Sequence, residues 1–212
     1  MHFQDNTAWR RGLRREMIAR REALSPADHR ALSEAIVAHL VAALPELSRG
    51  IVGFCWPIKH EPDVRAAIEH WRGQGGRAAL PVVVAEATPL AFRAWASEDP
   101  LAPDHYGIPT PTMGDWVHPT ALLLPLNAFD GAGYRLGYGG GYFDRTLAAM
   151  RPRPLAIGVG FEMNRVDSIR PEAHDQPLDW VVTEAGAFPL GGNRDVGAGP
   201  ASPKPATGRP GR

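Results

Sequence analysis

The chain has 212 residues, 44% of them hydrophobic, with Lys+Arg 23 against Asp+Glu 23. That length suits one large domain with a substantial core, and the composition excludes a wholly disordered chain. Zero net charge argues against a global grip on nucleic acid or an anionic membrane, so any anion site must be local.

The first six residues are expected to fray. The opening MHFQDNTAWRRGLRREM lacks the apolar stretch of a secretory signal, and no apolar run in the chain approaches the roughly 18 residues of a membrane span. Thr7 is a candidate cap for a helix that carries Leu13, Met17 and Leu24. Its other faces are basic: Arg10, Arg11, Arg14, Arg15, Arg20 and Arg21. Ser25-Pro26-Ala27-Asp28 starts a second helix, with Ser25 as cap, Pro26 in the first turn and Asp28 favouring the positive end. Leu32, Ile36, Leu40 and Leu44 then line one face.

Ile51 to Trp56 reads as a short buried strand. It holds Cys55, the single cysteine, which reads as a small buried hydrophobe. One cysteine excludes an internal disulfide and a cysteine zinc cluster and fits a reducing compartment, so a cytoplasmic protein is expected. Pro62 to Trp71 predicts a helix bearing Val64, Ala67, Ile68 and Trp71. Ala78 to Val84 is strand-like despite Pro81, and Pro89 to Trp95 alternates as an edge or antiparallel strand would. Further buried strands are expected at Ala121 to Leu126, Leu155 to Phe161 and Trp180 to Thr183, with a helix over Gly141 to Met150. Val196 is the one aliphatic residue larger than alanine between Gly191 and Arg212, so 191–212 is expected to be a disordered Pro/Gly-rich tail and 7–190 the folded domain. Short apolar strands alternating with helices predict an α/β domain with a mostly parallel sheet, and such sheets bind ligands at the carboxyl ends of their strands.

The chemistry concentrates in PLNAFDGAGYRLGYGGGYFDR, from Pro125 to Arg145. Gly137, Gly139, Gly140 and Gly141 let backbone N–H groups approach an anion, Arg135 adds a charge, and a helix start follows. The loop lacks the lysine of a Walker A motif, and Tyr142 breaks a G-x-G-x-x-G pattern. Taken alone it fits either a phosphate cradle or a Gly-rich surface turn. Asp144 fits either a Mg²⁺ ligand or an acid favoured at a helix start. Arg10 and Arg14, four apart, share one helix face, which is either an anion clamp or a solvated basic surface.

This segment resembles the signature of the 5-formyltetrahydrofolate cyclo-ligase (5,10-methenyltetrahydrofolate synthetase) family. The matching residues are Pro125, Phe129-Asp130, Gly133, Arg135-Leu136-Gly137 and Gly139-Gly140-Gly141-Tyr142-Phe143-Asp144-Arg145. Arg10, Leu13 and Arg14 match the family's opening basic pattern, Glu61 its acid after the first strand, Gly107-Ile108 and Pro111 its turn, and His174-Asp175, Asp179 and Val181 to Thr183 its last block. The likeness spans nearly all of residues 9–184. It departs at Arg10, where the family usually has Lys, at Phe143, usually Tyr, and at Thr110, often Glu.

The resemblance implies a single three-layer domain with a Rossmann-like sheet, akin to sugar-phosphate isomerases and CoA-transferases, preceded by N-terminal helices. It implies ATP- and Mg²⁺-dependent closure of 5-formyltetrahydrofolate to 5,10-methenyltetrahydrofolate, with phosphorylation of the formyl oxygen activating the carbon for attack by N10. Arg14, Arg135 and Asp144 would be catalytic. Arg10, Arg14 and Arg135 through Phe143, including Leu136 and Tyr138, would hold ATP. Asp144 and Asp175 would hold Mg²⁺. Glu61 would face the folate, bordered by Tyr138, Tyr142 and Trp56, although Trp56 also reads as a core tryptophan. His174 would orient Asp175 or form a hydrogen bond. The expected partner is a reduced folate, taken up by a monomer with no nucleic-acid or membrane partner. Two alternatives remain open: a non-catalytic folate- or nucleotide-binding relative, and a sugar-phosphate or CoA-transferase-like enzyme on a related scaffold.

Overall fold

A computed structural model describes residues 6–190; the expectations for the first five residues and for the tail at 191–212 lie outside the described residues. In chain order the elements are α1 (Asn6–Glu22), α2 (Pro26–Ala43), β1 (Ile51–Gly53), α3 (Arg65–Gly73), β2 (Arg77–Val82), β3 (Ala91–Trp95), β4 (Leu101–Pro103) and β5 (Pro109–Pro111). There follow β6 (Ala121–Pro125), β7 (Ala128–Phe129), β8 (Arg135–Leu136), α4 (Tyr142–Ala149), β9 (Leu155–Val159), β10 (Trp180–Thr183) and β11 (Gly186–Pro189).

The main sheet runs β11-β10-β9-β6-β1-β2-β3. The inner strands β10, β9, β6, β1 and β2 are mutually parallel, and antiparallel β3 and β11 close the two edges. Burial on both faces explains the continuous apolar runs. Leu123 and Ile157 share a cluster with Ile36 and Leu40 of α2 and Ile68 and Trp71 of α3. Their strand neighbours Leu122, Leu124 and Ala156 point the other way, into a cluster with Leu147 of α4. Helices on both faces make three layers, and α1 packs beside them through Met17 against Ala128 of β7 and Leu136 of β8.

Several boundaries differ from expectation for identifiable reasons. Ser25 caps α2 as predicted, accepting from the Asp28 N–H at 3.1 Å. Thr7 lies inside α1 rather than ahead of it, and Asn6 is tied down by a 2.8 Å bond to Glu172 Oε1 instead of fraying. β1 ends at Gly53, and only the Phe54 N–H carries its pairing further, to Ala79 O. Helix α3 starts at Arg65, not Pro62, because Asp63 Oδ1 accepts the Arg65 N–H in a local turn. Pro81 is tolerated because β1 pairs only with Arg77–Ala79, so no β1 bond is lost at Pro81. The short hairpins β4–β5 and β7–β8 and the edge strand β11 escaped the reading, being too short to show a period.

Strand β9 lies tight against the segment that follows β6. A Cβ on Gly158 would meet Leu178 Cδ1 at 2.6 Å and Leu126 Cδ2 at 2.9 Å. Gly158→Ala is therefore expected to lower the unfolding free energy by about 1–3 kcal/mol, as overpacking does. Urea denaturation should show a lower midpoint with an unchanged slope.

Candidate active site

The site residues gather where α1 crosses the carboxyl end of the sheet. Arg10, Arg14, Met17 and Arg21 follow one another at helical spacing along one face of α1. Arg10 faces Asp175 in a two-pronged pair, NH1 to Oδ2 at 2.8 Å and NH2 to Oδ1 at 3.0 Å. Burial works against ionisation of Asp175, but the hydrogen bonds and charge of Arg10 outweigh it and hold the carboxyl below its usual range. A depressed folded value stabilises above the unfolded value and loses that contribution as pH falls. The stability gap between wild type and Asp175→Asn in urea should thus be constant above roughly pH 5 and close below about pH 4. A gap that persists in stronger acid would show that the pair does not carry it.

Arg14 differs from Arg10. Its Nε donates to Gly137 O at 2.5 Å, and its guanidinium lies 3.4 Å from where a Cβ on Gly139 would stand. Among the described residues it has no carboxylate partner. Desolvation and the like charges of Arg10 and Arg11 push its pKa down. An arginine kept half-buried and unneutralised is suited to an incoming anion. Beside it, Gly139 (φ 98°) and Gly141 (φ 64°) take left-handed conformations, and no side chain caps the start of α4. The first N–H groups of α4 therefore face the loop without a side-chain acceptor.

Arg135 is buried and donates to Asp144 Oδ1 at 2.9 Å. The same oxygen accepts the Gln176 N–H, while Asp144 Oδ2 accepts no hydrogen bond among the described residues. Arg21, fully buried, donates to Lys59 O (2.6 Å), Asn127 Oδ1 (2.8 Å) and Tyr138 Oη (2.6 Å). The Tyr138 hydroxyl in turn donates to Glu61 Oε1 at 2.5 Å, and Ile58 N–H donates to Glu61 Oε2 at 3.1 Å. Burial pushes the Glu61 carboxyl up, against the pull of Tyr138 and Arg21. Glu61 borders a cavity of about 20 Å³ with Cys55, Leu124 and Val159, and burial keeps the Cys55 thiol neutral.

The arrangement has two halves, a Gly-rich loop beside Arg14 and a buried carboxylate, joined by Tyr138. Residues 6–184 match the 5-formyltetrahydrofolate cyclo-ligase family. The chain belongs to that family. The 5-formyltetrahydrofolate cyclo-ligase of Escherichia coli K12 is 30% identical over 172 residues, covering 77% of this chain and 94% of that protein. The one from Haemophilus influenzae is 26% identical over 180 residues, covering 82% and 96%. The NMR structure of the 5,10-methenyltetrahydrofolate synthetase of Aquifex aeolicus superposes with a TM-score of 0.75 at 29% identity, covering 89% of this chain and 96% of that one. Among the described residues no helix is long and apolar enough to cross a membrane.

Seen as a cyclo-ligase, the chain brings together most of the expected residues and reassigns four. Arg10, Arg14, Arg135, Asp144, Asp175, Glu61 and Tyr138 converge. Asp175 is not a free metal ligand beside Asp144, because Arg10 engages both its oxygens. Leu136 is fully buried under α1 and fixes the loop from below instead of facing a nucleotide. Trp56 stacks edge-on against Trp95 at 5.8 Å with the Arg65 guanidinium over its ring, the core role, while its neighbour Cys55 borders the cavity. His174 does not orient Asp175: it is exposed, with Nε2 3.9 Å from Oδ1, and Arg10 orients the carboxylate. Phe143 packs into the α4 cluster with Arg135 over its ring at 5.9 Å, so the missing hydroxyl leaves no gap. Thr110 bonds within its own turn, to Ile108 O.

Three residues of the site were missed. Arg21 stood among the arginines of a basic helix, although its helical spacing from Arg10 and Arg14 was a usable signal. Asn127 lay inside the loop segment with no pattern to mark it. Tyr106, on the β4–β5 hairpin, sets its hydroxyl 3.1 Å from that of Tyr142, and nothing in the sequence linked those loops.

Proposed function

We propose that this cyclo-ligase closes 5-formyltetrahydrofolate to 5,10-methenyltetrahydrofolate at the cost of ATP, releasing ADP and phosphate. The observation that carries the reading is Arg14: a half-buried cation without a carboxylate partner among the described residues, held against a Gly-rich loop that leads into a helix start with no side-chain cap. In the reaction the formyl oxygen bonds the γ-phosphorus as ADP leaves. N10 then bonds the formyl carbon and gives up its proton as phosphate leaves with that oxygen. Transfer of this kind needs charge neutralisation and alignment more than a strong base.

Arg14 and the N–H groups of Gly139, Gly140 and Gly141 would bind the phosphates. Arg10 holds Asp175 and lends its charge to the same region. Arg135 fixes Asp144 through Oδ1, and this leaves Oδ2 as a donor for Mg²⁺, which accepts one or two carboxylates together with substrate phosphates. The residues therefore fit the ion through Asp144; bound there, it would neutralise charge on the transferred group. Among the described residues no cluster of three or more His, Cys, Asp or Glu could hold a metal ion. Glu61 would accept from an N–H of the reduced folate, with Tyr138 and Tyr142 at the boundary between the two ligands. The same reading makes the enzyme a cytoplasmic monomer acting on a small molecule alone.

The test is a cyclisation assay with 5-formyltetrahydrofolate, Mg²⁺ and ATP, following the near-UV absorbance of the methenyl product. Growth of that band only with ATP present supports the reading. A flat trace with ligands still bound by calorimetry overturns catalysis and leaves a binding protein.

A further inference from the structure

With 0% relative exposure, Arg21 is out of reach of any substrate. It nevertheless holds the parts of the Glu61 site that must be aligned. Its Nε grips Lys59 O at 2.6 Å, in a turn where Lys59 (φ 47°) and His60 (φ 54°) are both left-handed. Two successive non-glycine residues in that region are strained and persist only when the surroundings impose them. That turn delivers Glu61. From the other side Arg21 donates to Tyr138 Oη, which sets the direction of the tyrosine O–H toward Glu61 Oε1, and Arg21 NH2 itself stands 3.7 Å from that oxygen.

We propose that Arg21 is a positioning residue: it clamps the Ile58–Glu61 turn and the Tyr138 hydroxyl so that Glu61 faces the folate as a charged acceptor. The inference rests on Glu61 being the folate-side carboxylate. The charged and titratable groups around Glu61 are Arg21 from α1, Lys59 from its own turn, Tyr138 from the loop and Cys55 from beyond β1. His29 of α2, packed on His60, bonds Glu61 O rather than the carboxylate. With burial already pushing Glu61 up, loss of either restraining partner extends its protonated form to higher pH.

The experiment is steady-state kinetics of the full chain from about pH 5 to about pH 8.5 for Arg21→Lys, Arg21→Gln, Tyr138→Phe and Glu61→Gln. Arg21→Gln and Tyr138→Phe should raise the KM for 5-formyltetrahydrofolate about tenfold with the KM for ATP little changed. Both should move the acidic limb of kcat/KM upward by about half to one pH unit, while Arg21→Lys, which keeps the charge, leaves the limb near its wild-type position. A loss that is uniform across pH, or one that falls on ATP, overturns the positioning role. If Arg21→Gln does not fold, Tyr138→Phe decides: an unmoved limb overturns the proposal. Glu61→Gln separates the two levels. If its folate KM is wild type, the folate reading of Glu61 fails and takes the proposal with it. If that KM rises while the other limbs stay put, only the role of Arg21 is overturned.

Discussion

Asp144→Asn should reduce kcat by roughly 10²–10³ at saturating substrates, the usual cost of removing one preorganised charge contact from a transition state. Asparagine keeps the shape, and its carbonyl oxygen can still accept from Arg135 or from the Gln176 N–H. What it loses is the charge on Oδ2, the donor assigned to Mg²⁺. The apparent Mg²⁺ requirement should therefore rise by more than about tenfold, which a general loss of packing would not produce. Stability must be read alongside. Arg135 and Asp144 are 4% and 15% exposed, and removing one partner of a buried pair costs about 3–5 kcal/mol when the other charge is stranded. A urea curve and the near-UV spectrum at assay temperature separate the two effects. Wild-type turnover at wild-type Mg²⁺ in a folded variant would sink the assignment.

The difference between Asp144 and Asp175 shows what could be read from the residues alone. Asp144 follows the Gly-rich loop in the chain, whereas Asp175 stood beside it as a Mg²⁺ ligand only through the family resemblance. Whether an oxygen stays available depends on which arginine reaches it, and that is set by how α1 crosses the sheet. No periodicity encodes that crossing. The central parallel strands were legible because burial on both faces leaves continuous apolar runs such as Ala121–Leu126, of which Ala121–Pro125 is the strand. Strand β3 was legible as an edge or antiparallel strand because Pro89–Trp95 alternates, with Arg93 its one polar residue. Two-residue strands such as β7 and β8 leave no pattern, yet β8 is what presents Arg135 to Asp144. Arg21 is the instructive failure. Arginine is almost never fully buried unless paired, so a basic helix reads as solvated on every face but the leucine stripe. Here the buried stripe itself carries a cation, and its partners come from the Lys59 turn, the end of β6 and the anion loop.

Arg14 yields the sharpest separation of function from stability. A group that serves the fold should cost stability when removed. Desolvation and the charges of Arg10 and Arg11 push the Arg14 pKa down, so the folded state disfavours its charged form relative to the unfolded chain. The sign follows: at neutral pH the charge on Arg14 works against folding, and its hydrogen bond to Gly137 O offsets only part of that. Arg14→Met keeps most of the packed stem while deleting the charge. Its urea midpoint should stay level or rise. Its KM for ATP should climb by about 10²-fold, since each charge-assisted bond is worth about 1.5–3 kcal/mol and about 1.4 kcal/mol is a factor of ten. Arg14→Lys should fall between, because a point charge lacks both the planar fork and the Nε that reaches Gly137 O. The folate KM should move little in either variant. An unfolding free energy lowered by more than about 1 kcal/mol with an unchanged ATP KM would make Arg14 a structural residue, and the anion site would have to be sought elsewhere in the loop.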